Sequence, residues 1–239
     1  MKANILIIGA GINGVLTSYY LVEEGVKDIV IIEKDYPGGG GTFRCATGIR
    51  ASFTSVEHVE AMKRSIELWR ELSIRHDFEY RRDGYLWLLT RDEDVELFEK
   101  IVSFHNSHGL NTRIVDQATI KEIVPEINVD SVIAGVYDPT AGKADNFKSL
   151  INILNYVKNK GVKLYTSTIA EKIVFNGSRV KGVYTNRGLI EADIVVLAAG
   201  YGSRRIALNS GFDLPLSNVP KHALITEAYR YRIKPLIID

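Results

Sequence analysis

The stretch NILIIGAGINGVLTSYYLVEEG, residues 4–25, decides the fold. NILIIG (4–9) is short and apolar on both faces, the pattern of a strand buried in a parallel sheet. Ile12 to Glu24 has helical periodicity, and Gly25 is placed to stop it. Between them GAGING (9–14) fits G-x-G-x-x-G. A second apolar run, KDIVIIEK (27–34), follows and carries Glu33 nineteen residues past Gly14. Strand, glycine turn, helix, strand and terminal acid together are the fingerprint of a dinucleotide site. Each part has a physical task. Gly9 permits the tight turn, Gly11 lets a pyrophosphate approach the backbone, and Gly14 lets helix and strand pack closely. Backbone N–H groups around Ile12 and Asn13 and the positive end of the helix dipole face the phosphates. Glu33 accepts hydrogen bonds from a ribose hydroxyl, and its charge disfavours a 2′-phosphate.

Outward from this unit the pattern changes twice. GGGGTFRCATGIRASF (38–53) is too glycine-rich for a helix interior and too apolar and cationic for an idle linker. Ser55 to Ile74 reads as a helix with Ser55 as N-cap. RRDGYLWLLT (81–90) has an Asp-Gly turn before an aromatic strand and predicts an antiparallel hairpin. Asp92 to Ser107 is predicted helical, 131–139 a strand, Asn146 to Lys160 a helix stopped by Gly161, and 162–167 a strand. Residues 169–200 read as strands joined by Asn-Gly and Asn-Arg-Gly turns, ending on IVVLAAG. ALITEAYRY (223–231) and PLIID (235–239) are predicted strands. Segments of parallel type bracket segments of antiparallel type, so the chain is expected to form two interleaved domains.

The composition sets limits. The chain has 239 residues, 46% apolar and 25% charged, with a net charge of +1. That length buries a substantial core, and the charge balance argues against a general nucleic-acid or membrane-surface binder. A single cysteine, Cys45, excludes an internal disulfide framework and suits a reducing compartment, so the cytoplasm is expected. The apolar start is broken by glycines and runs straight into a helix, unlike a signal peptide. No window reaches the roughly 18 apolar residues of a membrane span. His105 and His108, in HNSH, lack further ligands nearby and read as a solvated helix end; no metal is expected.

GAGING with Glu33, TSTIAEKI (166–173) with VKGVYTNRG (180–188), and ADIVVLAAG (192–200), in this order, resemble the FAD-binding half of the D-amino-acid oxidase superfamily. GGGGTFRCATGIRASF and KHALITE (221–227) resemble the group of sarcosine oxidase and dye-linked proline dehydrogenase β-subunits. The resemblance implies an α/β fold. A Rossmann-like FAD-binding domain (1–78 and 144–212) is interleaved with an incomplete antiparallel-sheet substrate domain (79–143 and 213–239). It implies FAD as cofactor, held by Gly9, Gly11, Ile12, Asn13, Gly14, Glu33, Lys34, Gly41, Thr42, Arg44, Cys45, Gly48, Ala170, Ala199 and Gly200. It further implies oxidation of the C–N bond of an amino acid or secondary amine, such as sarcosine or proline, by hydride transfer to flavin N5. GIRASF (48–53) resembles a segment in which related amine oxidases place an arginine on the substrate carboxylate, so the resemblance implies Arg50 as the carboxylate-binding cation, and a planar guanidinium grips a carboxylate with two hydrogen bonds. His222 is the second candidate for the reaction. The family's sequences continue past PLIID, so the chain is expected to be a truncated relative, a fragment or one piece of a split enzyme, and its terminal strand to leave an edge another chain could cover. The group works as heteromers, so the resemblance also implies a partner subunit or homo-oligomer. Two other readings stay open: a flavin-binding subunit or remnant that is not catalytic without a partner chain, and an NAD-linked dehydrogenase.

Overall fold

The computed structural model describes residues 2–222, 224, 227 and 233–239. The first elements are β1 (Lys2–Ile8), α1 (Ile12–Glu23), β2 (Ile29–Ile32), β3 (Gly48–Ile49), α2 (Val56–Arg75), β4 (Tyr80–Arg81), β5 (Tyr85–Leu89) and α3 (Asp92–Ser107). Then come β6 (Arg113–Val115), α4 (Gln117–Ile123), β7 (Ala134–Asp138), β8 (Gly142–Ala144), α5 (Asn146–Asn159) and β9 (Lys163–Tyr165). The last are β10 (Ala170–Asn176), β11 (Arg179–Thr185), β12 (Gly188–Leu197), α6 (Ser203–Asn209) and β13 (Leu236–Ile238). The expected strand 223–231 lies mostly outside the described residues.

The chain divides into two compact units, the first of Met1–Cys45 and Asn146–Leu224, the second of Ala46–Asp145 and Ile225–Asp239. The first unit holds a six-stranded sheet in the order β10-β11-β12-β1-β2-β9. β12, β1, β2 and β9 run parallel, and β10 and β11 add an antiparallel meander. Leu6, Ile7, Ile29, Ile31 and Ile32 are fully buried, so both faces of the central strands are covered. Burying each such side chain contributes about 1.5–3 kcal/mol. On α5, Leu150, Ile153, Leu154 and Val157 are buried at helical spacing; α5 packs against α1, and Tyr156 donates to Glu23 Oε1 at 2.6 Å.

The second unit holds two small sheets, β13-β5-β7-β6 and β3-β8-β4. Their pairing is antiparallel except that β13 runs parallel to β5. The predicted hairpin is absent: β4 pairs with β8, while β5 pairs with β7 and β13. The Asp83-Gly84 turn instead passes the chain from one sheet to the other. Gly84 has φ +88, and a Cβ there would meet the Tyr137 ring at 2.5 Å, so packing fixes this glycine. Residues 46–78, grouped with the dinucleotide half in the sequence reading, fall in this unit because β3 pairs with β8 and α2 packs on β4. Ser55 caps α2, its Oγ accepting from His58 N at 3.4 Å.

HNSH is a solvated helix end except at its first residue, since Asn106 and Ser107 are exposed and His108 is half-buried. His105 is 3% exposed, its Nδ1 lying 3.1 Å from Thr112 Oγ1 and its Nε2 3.0 Å from the Phe53 carbonyl. A carbonyl only accepts, so Nε2 carries the hydrogen and, in the neutral ring, Nδ1 accepts from the Thr112 hydroxyl.

Candidate dinucleotide site and a buried arginine

The first unit contains a cavity of about 650 Å³ at the carboxyl ends of β1, β2 and β12. That volume falls in the range of small-molecule and cofactor sites, and the ends of parallel strands are where such sites form. The glycine fingerprint behaves as its physics requires. Gly9 has φ +107, and a Cβ there would lie 2.4 Å from the Ala198 carbonyl oxygen. A Cβ at Gly14 would lie 2.0 Å from the Gly9 carbonyl oxygen, so α1 meets β1 only without a side chain. Gly11 is the N-cap of α1, with no side-chain cap of its own. Thr42 supplies one instead: its Oγ1 accepts from Ile12 N at 3.0 Å. The first N–H of α1 is thus already bonded, and Thr42 retains its own O–H to donate.

Glu33 is held ready at the end of β2. Its Oε2 accepts from Ala10 N at 2.9 Å and its Oε1 from Asp35 N at 3.1 Å. Each carboxylate oxygen keeps acceptor capacity for a ribose hydroxyl.

The four consecutive glycines have two different explanations. A Cβ at Gly38 would strike Phe43 at 2.5 Å and Leu150 at 2.7 Å, and one at Gly39 would strike the Tyr36 ring at 2.9 Å. Packing within the unit demands those two. Around Gly40 and Gly41 a Cβ would meet nothing within 4 Å, and neither has a positive φ. Both line the cavity. Neither backbone nor packing asks for glycine there, and both stand where the cavity opens. This is a cradle that a Cβ would fill, and it fits a bound dinucleotide.

Of the residues expected to hold the cofactor, Gly9, Gly11, Ile12, Asn13, Glu33, Lys34, Gly41, Thr42, Cys45, Ala170, Ala199 and Gly200 line this cavity. Three do not. Gly14 acts through packing, as described. Arg44 turns its Nη1 onto the Gly39 and Gly40 carbonyls and so braces the loop. Gly48 belongs to the second unit, where a Cβ would overlap the Tyr85 hydroxyl; that contact accounts for the glycine. The sequence reading missed Gly40, Thr168, Tyr201, Arg205 and Asn218, which also line the cavity. Tyr201 follows directly on the Ala-Ala-Gly that closes β12, and that adjacency was the signal available.

The second unit carries Arg50, one residue past β3. Its guanidinium lies 4.3 Å from the Phe53 ring centroid, 5.8 Å from Tyr85 and 5.9 Å from Trp87. Its Nη1 is buried with no hydrogen-bond partner among the described residues. A buried charged donor left unpaired costs more than an ordinary hydrogen bond returns. His222 is exposed, and no hydrogen bond or ion pair reaches it among the described residues. Among the described residues no group of His, Cys, Asp or Glu could hold a metal ion, and no helix is long and apolar enough to cross a membrane.

Comparison with known proteins fixes the family. The family described as FAD dependent oxidoreductase (DAO) matches residues 4–237. The chain belongs to the DAO family. This displaces the reading as an NAD-linked dehydrogenase, and FAD is the dinucleotide that the DAO cavity fits. Sarcosine oxidase subunit beta of Arthrobacter sp is 28% identical over 234 residues, covering 95% of this chain and 58% of that protein. The mitochondrial pyruvate dehydrogenase phosphatase regulatory subunit of Mus musculus is 28% identical over 226 residues, 93% of this chain and 25% of that protein. The crystal structure of L-proline dehydrogenase from P. horikoshii matches with a TM-score of 0.83 at 38% identity, covering 88% of this chain and 56% of that one. The chain therefore spans just over half the length of the sarcosine oxidase subunit and of the proline dehydrogenase.

Proposed function

We propose that this chain is the FAD-carrying part of an oxidoreductase that oxidises the C–N bond of a carboxylate-bearing amine, such as proline or sarcosine. When bound, FAD supplies the two-electron oxidation. The chain's own residues bind and orient. Glu33 takes the ribose, the Gly40–Gly41 backbone and Thr42 make room for and donate to the pyrophosphate, and Arg50 grips the substrate carboxylate.

The buried, unpartnered Nη1 of Arg50 carries the substrate assignment. A planar guanidinium with an open donor pairs with a carboxylate through two parallel hydrogen bonds. The rings of Phe53, Tyr85 and Trp87 favour the cation and limit its movement. His222 has no comparable support and receives no role. The lone cysteine leads us to place the protein in the cytoplasm.

A second reading keeps the FAD but not the independent activity. It is favoured by the similarity to a protein named as a regulatory subunit. β13 is also the outermost strand of its sheet among the described residues, so another polypeptide has an edge to pair with.

The test is the visible spectrum of the chain loaded with FAD, before and after anaerobic L-proline or sarcosine. Bleaching is the expected result. Arg50→Ala should keep FAD yet need at least about tenfold more amine for the same bleaching, since a charge-assisted pair is worth about 1.5–3 kcal/mol. Unchanged amine dependence would remove Arg50 from the site. A bound flavin that neither amine reduces, and that a partner chain makes reducible, would establish the second reading.

A further inference from the structure

Lys34 and Tyr201 meet across the mouth of the cavity. Lys34 lies two residues past the end of β2 and Tyr201 four past the end of β12. β1 runs between those two strands in the sheet, so the contact passes over the end of β1 and the glycine turn. The Lys34 ammonium donates to the Tyr201 hydroxyl and stands 4.4 Å from the centroid of its ring. Both residues line the cavity, as do Arg205 and Asn218. Asn218 Nδ2 donates to the Tyr201 carbonyl at 3.0 Å and fixes the segment that presents the ring. Tyr201 is 59% exposed, so core packing does not account for an aromatic residue here. The hydrogen bond from Lys34 and then its charge draw the Tyr201 phenol below its ordinary pKa, with Arg44 and Arg205 adding to the effect.

We propose that Lys34 and Tyr201 form a clasp over the adenosine half of the dinucleotide, which must part before the cofactor leaves. The inference rests on the FAD reading of this cavity. Lys34 adjoins Glu33, the ribose acceptor, which places the clasp at the adenosine end. A closed cation–aromatic pair resists opening, and the cations that line the cavity, Lys34 and Arg205, attract the pyrophosphate.

The experiment uses the full chain with two probes, FAD and ADP. ADP carries the adenosine and pyrophosphate without the isoalloxazine. Affinities and release rates are measured for wild type, Tyr201→Ala and Lys34→Met, with thermal melting to verify folding. Both positions are exposed, so the substitutions leave the core intact. Each should raise the release rate of FAD and of ADP three- to tenfold, with Tyr201→Phe intermediate because it keeps the ring and loses the hydroxyl. Wild-type release rates for both ligands in the variants would overturn the clasp and leave the FAD reading standing. Faster release of FAD with unchanged ADP would move the contact off the adenosine half and overturn the proposal. A wild-type chain that binds neither probe would overturn the dinucleotide reading itself.

Discussion

At the scale of single residues, the glycines of the 38–41 run are chemically identical and have opposite sensitivities. Gly38 has φ +80 and a Cβ would collide with Phe43 and Leu150. Gly38→Ala therefore combines a left-handed backbone strain with overpacking and should destabilise the fold by about 1–3 kcal/mol. Gly41 has φ −63 and ψ −26, ordinary right-handed values, with open space around the position of a Cβ, and it lines the cavity. Gly41→Ala should leave the melting temperature of the free chain unchanged or slightly raised, because alanine restricts the unfolded chain. Its methyl group would stand in the FAD cradle, so FAD affinity should fall at least about tenfold, roughly 1.4 kcal/mol. Melting and flavin titration of the two variants check both arms. A Gly41→Ala chain that binds FAD as wild type does would show that the open space serves something else. The sequence could display four glycines but not this division, because one of the two side chains that press on Gly38, Leu150, comes from far along the chain. The pairing of Tyr201 was illegible for the same reason: its partner Lys34 is 167 residues away.

At the scale of elements, legibility followed the range of the signal. β1, α1 and β2 could be read because periodicity, glycine spacing and the terminal acid all act within about thirty residues. β4 and β5 could not be paired correctly. Asp83-Gly84 is a local reversal signal, whereas their true partners lie far along the chain, Ala144 on β8 for Tyr80 and Val136 on β7 for Trp87. α3 posed the same problem in its burial: HNSH is locally polar, yet His105 faces Phe53 and Thr112. Burial is the main cause lowering the His105 pKa; the Phe53 carbonyl and Asp138 oppose it, and Arg50 adds to it. The unfolded chain therefore takes up a proton at higher pH than the folded one. The stability that His105 supports is complete above its unfolded value of about 6.5 and is lost as the pH falls below that toward the folded value. Melting temperatures from pH 7.5 to pH 5 should drop more steeply for wild type than for His105→Gln. That variant cannot charge, keeps a donor for the Phe53 carbonyl, and gives up about 1 kcal/mol at pH 7.5 with the Thr112 bond. Parallel profiles would mean that His105 does not titrate with unfolding.

At the scale of the whole molecule, FAD binding and catalysis make different demands on the chain. The cavity is lined entirely by residues of the first unit, and its floor is built by β1 pairing with β12 across nearly the full sequence. Ligand binding to the folded state alone stabilises it by RT ln(1 + [L]/Kd), about 2.7 kcal/mol at a hundredfold excess over Kd. For a chain of this size that corresponds to a rise of about 5–10 °C in melting temperature. FAD should produce this rise, growing with the logarithm of its concentration, while NADP should not, because Glu33 repels a 2′-phosphate. Equal shifts with both would show that the Glu33 carboxylate does not discriminate, and no shift with FAD would mean the first unit is not sufficient to bind it. An FAD-dependent rise without amine-dependent bleaching would separate the two demands within one chain, placing the missing requirement outside the sheet that carries the fingerprint.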